Sequence, residues 1–261
     1  MENDSAAMVP VEEPFCSAYE YMAAALHVPN IPAQPSDGQL LPSIPPLHFD
    51  TPVFWKTGQV LRMGFYHATN FQKAEVTTHA VEWCRWADLE FRFVTKAPYN
   101  IHIAFQPGSS WSLLGTQALS RTHKSPPRPS MNLGWVNPQT PAWVYRATIL
   151  HEFCHALGLV HEHQNARRDF GREWDIPAMY DHLARPPNQW GLDRVNRNVL
   201  SICTGKLLRK NFIDEESIKL YAFPGKLFKG HGGYSKNYEL SAIDKGSMLM
   251  RYPGREPGEY T

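Results

Sequence analysis

The residues best suited to chemistry lie together, as His151-Glu152-Phe153-Cys154-His155-Ala156-Leu157-Gly158-Leu159-Val160-His161. His151 and His155 are four apart, and on an α-helix that spacing rotates a side chain by only about 40°. Their imidazoles then stand one turn apart on one face, placed to share a Zn²⁺ at Zn–N distances of roughly 2.0–2.1 Å. Gly158 lets the chain leave the helix through a left-handed turn that a Cβ would resist, and the turn brings back His161 as third ligand. Three neutral nitrogens leave a fourth position open to water, the mark of a catalytic rather than a structural zinc site. Glu152 lies about 100° round the helix from His151, beside that water without being a ligand, where a general base belongs. One Zn²⁺ per chain is the cofactor expected. The plainer reading, a histidine-bearing surface helix, needs these spacings to arise by chance, on the order of once in 10⁴ chains of this composition.

Such a helix needs a start and a support. Thr140-Pro141 reads as an N-cap followed by proline at the first helical position. Ile149, Leu150, Phe153, Cys154, Ala156, Leu157 and Val160 form a broad apolar arc opposite the His151–His155 side, so one face packs and the other looks into a cleft. Upstream, Gln59–Tyr66 alternates as a strand. Thr69 and Gln72 form a capping box for a helix to about Ala87, with Val76, Ala80, Val81, Trp83, Cys84 and Ala87 as its stripe. Strands are read at Leu89–Val94, Asn100–Phe105 and Met131–Val136, and helical signals near Ile176–Ala184 and Trp190–Cys203. This order predicts a mixed sheet covered by two helices.

The chain has 261 residues, 43% of them hydrophobic, enough to bury a sizeable core. Twenty-six basic residues against 25 acidic give no electrostatic footprint for nucleic acid, and the Lys206–Lys210 run reads as a solvated face. No apolar stretch approaches the roughly 20 residues that span a bilayer. Residues 1–52 hold nine of the 22 prolines, including Pro45, Pro46 and Pro52, and read as an extended N-terminal extension, a pro-segment or partner-binding arm being the functional alternative. Residues 53–261 have the composition of a folded domain. Residues 1–15 contain Glu2, Asp4, Glu12 and Glu13 but no Lys or Arg, unlike a secretory signal, so a cytoplasmic location is the default expectation. Cys16, Cys84, Cys154 and Cys203 show no paired spacing, and Cys84 and Cys154 fall on apolar helical faces as buried thiols. The Gly230–Tyr234 stretch lacks the setting of a phosphate cradle and reads as a plain loop.

From His151 to His163 the chain also resembles the astacin family of metzincin zinc endopeptidases, whose relatives carry H-E-x-x-H-A-x-G-x-x-H-E-H. Glu162 is the discriminating letter. Gln164, Arg168-Asp169, Trp111-Ser112, Met131–Trp135, Pro186–Trp190 and Asn198-Val199-Leu200 extend the likeness to microbial astacin-like domains. The resemblance covers residues 53–261. It implies an α+β, metzincin-like zincin domain: a mixed, mostly parallel sheet, two long helices above an active-site cleft, and an irregular C-terminal subdomain. Similar family members are often secreted, and this sequence departs from the animal members in that residues 1–52 show no match to their aspartate-bearing prodomain.

That family has a methionine turn beneath the zinc, S-x-M-x-Y. Around Ser247-Met248-Leu249-Met250-Arg251-Tyr252 the resemblance offers Met250 and Tyr252 for the Met and Tyr places, with Ser247 one residue too far upstream and Arg251 in place of a common His. By resemblance, Tyr252 ligates zinc at rest and swings to hydrogen-bond the oxyanion. Gly158, Glu162 and Met250 are then structural at the site, and His163 a candidate to orient a ligand ring. The reading is a monomeric, zinc-dependent endopeptidase taking protein or peptide substrate, bound as an added strand near Ser112–Thr116. Its rival is a catalytically silent or latent zinc-fold binding protein; an intact Glu152 argues against it.

Overall fold

The computed structural model describes residues 47–48, 53–164, 172–186, 188–204, 213–230 and 232–256. Most of the 1–52 extension with Cys16, and Arg168-Asp169, Pro187, Lys206–Lys210 and His231, lie outside the described residues.

Five strands form the main sheet: β2 (Gln59–Phe65), β3 (Leu89–Phe93), β4 (Ile101–Ala104), β5 (Ser110–Ser112) and β6 (Met131–Leu133), in the order β3-β2-β4-β6-β5. All neighbours are parallel except β5, which runs antiparallel to β6 with Trp111 opposite Asn132. A separate parallel pair joins β1 (Leu47–His48) to β7 (Cys203–Thr204). The alternation of β2 turns Leu61 and Met63 inward, and both are completely buried.

Helix α1 (Asn70–Ala80) starts at the expected capping box: Gln72 N–H donates to Thr69 Oγ1, and the Gln72 side chain accepts from the Thr69 amide. It passes into a 3₁₀ turn at Val81–Arg85. A short helix α2 (Leu119–Thr122) precedes α3 (Ala142–Ala156), which carries His151 to His155. The N-cap of α3 is Pro141, one residue later than the sequence suggests, and no side chain caps it. The reason is local: Asn137 Oδ1 accepts the Thr140 amide at 3.1 Å, drawing Thr140 into the preceding turn. Helices α1 and α3 pack on each other, and the indole of Trp83 donates to Leu150 O across the contact at 3.1 Å.

Two cores result. The larger unites Leu61, Met63, Ile101, Ile103, Met131 and Leu133 of the sheet with Val76, Ala80, Ile149, Leu150 and Phe153 of the helices. Cys84 and Cys154 are buried free thiols within it, their pKa values pushed up by burial, Cys84 to about 12. The smaller lies in the C-terminal half, around α4 (Ile176–Ala184), α5 (Leu192–Val195) and Leu220, Phe223 and Leu227. A last helix, α6 (Ala242–Arg251), opens at a Ser241–Asp244 capping box and returns Met248 and Tyr252 to the larger core. No helix among the described residues is long and apolar enough to cross a membrane.

Candidate active site

The histidine cluster sits at the seam between the two cores. After Ala156 the chain turns at Gly158, whose φ of +96° is the left-handed conformation expected there. A Cβ at that position would also come within 2.6 Å of the Phe54 ring. The turn delivers His161 to His151 and His155, so that His155 Nε2 lies 3.2 Å from His151 Nε2 and 3.0 Å from His161 Nε2. Two nitrogens about 2.05 Å from a tetrahedral zinc stand roughly 3.3 Å apart, so this spacing is close to that of a ligand set.

The opposite ring nitrogens identify the tautomer. His151 Nδ1 meets Ile218 O at 2.7 Å, His155 Nδ1 meets Leu159 O at 2.8 Å, and His161 Nδ1 meets Gln164 Oε1 at 3.0 Å. A carbonyl oxygen can only accept, so each Nδ1 carries the proton and each Nε2 turns a lone pair inward. Burial pushes the pKa of His151 down to about 4 and those of His155 and His161 well below the ordinary histidine value. The rings are thus neutral at pH 7, as metal ligation demands. Three neutral, converging imidazoles fit Zn²⁺, and among the described residues they form the single group of three or more such side chains able to hold a metal ion. Glu152 is buried on the same helix, one residue beyond His151.

The partner that orients His161 was not visible as such in the sequence. Gln164 accepts from His161 while its own amide donates to Arg197 O at 3.1 Å, which fixes which end of the side chain faces the ring. The expected orienting residue, His163, is engaged elsewhere: its Nε2 meets Asn198 O at 3.1 Å, and its ring stacks 5.2 Å from that of His161.

The structure does not bring Met250 or Tyr252 to the histidines. Met250 is 74% exposed on α6. Tyr252 is fully buried in the larger core, where its hydroxyl donates to Leu157 O at 2.8 Å and accepts from the Trp55 amide at 3.3 Å. Its role there follows from the end of α3, whose last carbonyls need donors. Phe153 O, Cys154 O and His155 O accept from the amides of Leu157, Leu159 and Gly158. Ala156 O accepts from the Trp55 indole at 2.8 Å, and Leu157 O from Tyr252. Arg251 likewise stands over Phe54, 3.7 Å from its ring centroid, rather than against a histidine.

The tyrosine beside the histidines is Tyr221. Its ring centroid lies 4.4 Å from that of His161, 4.7 Å from His163 and 6.0 Å from His151. It closes the turn Ser217-Ile218-Lys219-Leu220-Tyr221, whose Ile218 carbonyl holds His151. The spacing is that of S-x-M-x-Y with lysine in the methionine place, and a search for methionine passes over it. The two end residues were the usable signal. Lys219 is buried between Asp244, with which it makes a very short contact, Ser217 Oγ at 2.5 Å and Glu162 Oε2 at 3.4 Å. Burial alone would lower the lysine pKa, but Asp244 and Glu162 outweigh it and hold the ammonium above its ordinary value. Glu162 thus anchors the segment after His161, also accepting the Asp214 amide at 3.2 Å.

No family model and no curated protein matches the chain. Solved structures do. One structure of myroilysin superposes with a TM-score of 0.71 at 32% identity, covering 78% of this chain and 97% of that one. A second myroilysin structure gives 0.59 at 30% identity, over 80% and 91%. High choriolytic enzyme 1, a hatching enzyme zinc-protease from the medaka fish Oryzias latipes, shares the fold at 0.52 and 17% identity, over 78% and 96%. With its mostly parallel five-stranded sheet, its three converging histidines and this level of identity across nearly the whole of a solved relative, the chain belongs to the astacin-like family of metzincin zinc metalloproteases.

Proposed function

We propose that the protein is a zinc endopeptidase in which one Zn²⁺ per chain is held by His151, His155 and His161. The observation that carries this is the tautomer pattern: three Nδ1–H groups spent on carbonyl acceptors and three Nε2 lone pairs turned towards one point. Bound there, Zn²⁺ supplies Lewis acidity that lowers a water's pKa to about 7 and polarises a carbonyl. Glu152 accepts the proton of the attacking water and passes it to the leaving amine. Tyr221, rather than Tyr252, donates to the oxyanion as it develops. Gln164 and Ile218 O keep the ligand rings in the right tautomer and orientation.

Substrate is a protein or peptide bound extended along β5. This strand is the antiparallel edge of the sheet, paired to β6 on one side and to no other described strand; its three residues are buried, so an added strand pairs there once that edge is uncovered. The edge is Ser110–Ser112; of the Ser112–Thr116 stretch expected to carry it, Gly115 and Thr116 lie instead in the 3₁₀ turn Gly115–Ala118.

Zinc analysis of the purified full chain together with casein cleavage tests the reading. One equivalent of zinc, and cleavage that a chelator stops and added zinc restores, are expected. A chain fully loaded with zinc that leaves casein intact would refute it.

A further inference from the structure

We propose that Lys219 is a positioning residue: gripped by Asp244, Ser217 and Glu162, it fixes the Ser217–Tyr221 turn against the segment that carries His161. This rests on the reading of Tyr221 and Ile218 as parts of the reacting site.

The link to the His161 side has two points. Lys219 O accepts the Glu162 amide at 3.2 Å, and Lys219 Nζ reaches the Glu162 carboxylate at 3.4 Å. The link to the other side is as firm. Asp244 lies in the first turn of α6, where it closes a capping box with Ser241. One of its oxygens accepts the Ile218 amide at 2.8 Å, and the other accepts from Ser217 Oγ at 2.8 Å and from Lys219. The turn is therefore held at its hydroxyl, at an amide and at its central side chain. What it presents to the histidines is the Ile218 carbonyl, bonded to His151, and the Tyr221 ring beside His161. The Lys219 ammonium contacts two carboxylates and a hydroxyl, so its hold on the position of the histidines runs through the turn, while its charge also acts through space, adding to burial, to lower the pKa values of His151 and His155.

Stability alone gives a poor reason for such a group. A buried ion cluster is often replaced by apolar side chains at no loss, whereas a cluster with one partner removed is strongly penalised. Methionine, which the family pattern has at this place, would fill the volume. What lysine adds is direction: a fixed position for the turn relative to both neighbours.

The test compares the full-length parent with Lys219→Met and with Lys219→Met/Asp244→Asn. The single variant leaves Asp244 and Glu162 facing each other without that cation and is expected to lose thermal stability. The double variant removes one charge of each sign and with it the repulsion between two carboxylates; Glu162 keeps the Asp214 amide as a donor, and the amide oxygen introduced by Asp244→Asn can still accept from the Ile218 N–H. It is expected to fold and to bind one metal with KM within about threefold of the parent, while kcat falls on the order of 10²-fold, the scale of an ångström-sized misplacement. The visible spectrum of the cobalt(II) form, which reports ligand geometry without turnover, should also differ from the parent's. A double variant with parental kcat and parental cobalt spectrum overturns the proposal. So does one that unfolds along with the single variant, because the cluster would then serve folding and not position. If the parent itself fails to cleave peptide, the proposed function falls separately, and the cobalt spectra still decide the role of Lys219.

Discussion

Two tyrosines compete for one role, and removing a single oxygen from each separates them. In Tyr252→Phe the ring stays and the hydroxyl goes, leaving the Leu157 carbonyl and the Trp55 amide without this partner in the core. A buried polar group left unsatisfied costs about 1–3 kcal/mol. Taking about 2 kcal/mol, and about 2–4 °C per kcal/mol for a domain of roughly 200 residues, the Tm should fall by about 4–8 °C. At a temperature where both proteins are folded, kcat should be unchanged. Tyr221→Phe should act on turnover instead: its ring still packs on His161 and His163, while loss of a donor to the oxyanion lowers kcat on the order of 10²-fold with little change in KM. Differential scanning calorimetry and initial rates on a quenched fluorescent peptide measure both quantities on the same samples. If Tyr252→Phe loses activity at parental Tm, or Tyr221→Phe keeps full kcat, the assignment made from the turn is wrong.

Glu152→Gln should retain zinc and fold but lose turnover, since the amide cannot take up a proton; activity within tenfold of the parent would remove Glu152 as the base. His161→Ala should lose zinc, and Gln164→Ala should weaken zinc binding about 10–100-fold in a chelator competition, an effect absent if Gln164 does not orient the ring. In the metal-free protein, burial holds the His151 pKa at about 4, against an ordinary value of 6.5. Between those values the unfolded chain takes up a proton that the folded one refuses, so stability should fall as pH drops through this window. Urea midpoints at pH 7 and pH 5 check the sign, and the difference should shrink in His151→Asn.

What the sequence reveals here is what depends on nearby residues. Helical period places His151 and His155 together, and a glycine placed to turn left brings in His161, so the metal set is legible from eleven consecutive residues. The Thr69–Gln72 capping box and the Ile176–Ala184 helix are local in the same sense, and both appear where the pattern puts them. The methionine turn is different. Its identity depends on a lysine whose partners, Glu162 and Asp244, are far away in the chain, so nothing beside Lys219 announces that a charge can be buried there. Tyr252 misled for the same reason. A tyrosine two residues after a methionine looks like the end of a turn, whereas its position is decided by its bonds to Trp55 and to the end of α3.

Those bonds have a consequence for how the chain can be cut. Trp55 and Tyr252 stand near opposite ends of the described domain, yet their side chains sit side by side on the last carbonyls of the helix that carries His151 and His155. The Val53 carbonyl holds the Thr116 amide close by, at 2.8 Å. Trimming the domain as far as Trp55, or stopping it before Tyr252, would therefore fray the reacting helix from a terminus that is remote in sequence. Linking the region after Tyr252 back to Val53 and reopening the chain at the exposed His123–Pro126 loop would leave each of those bonds in place. For this molecule a circular permutant is a gentler alteration than a short terminal deletion.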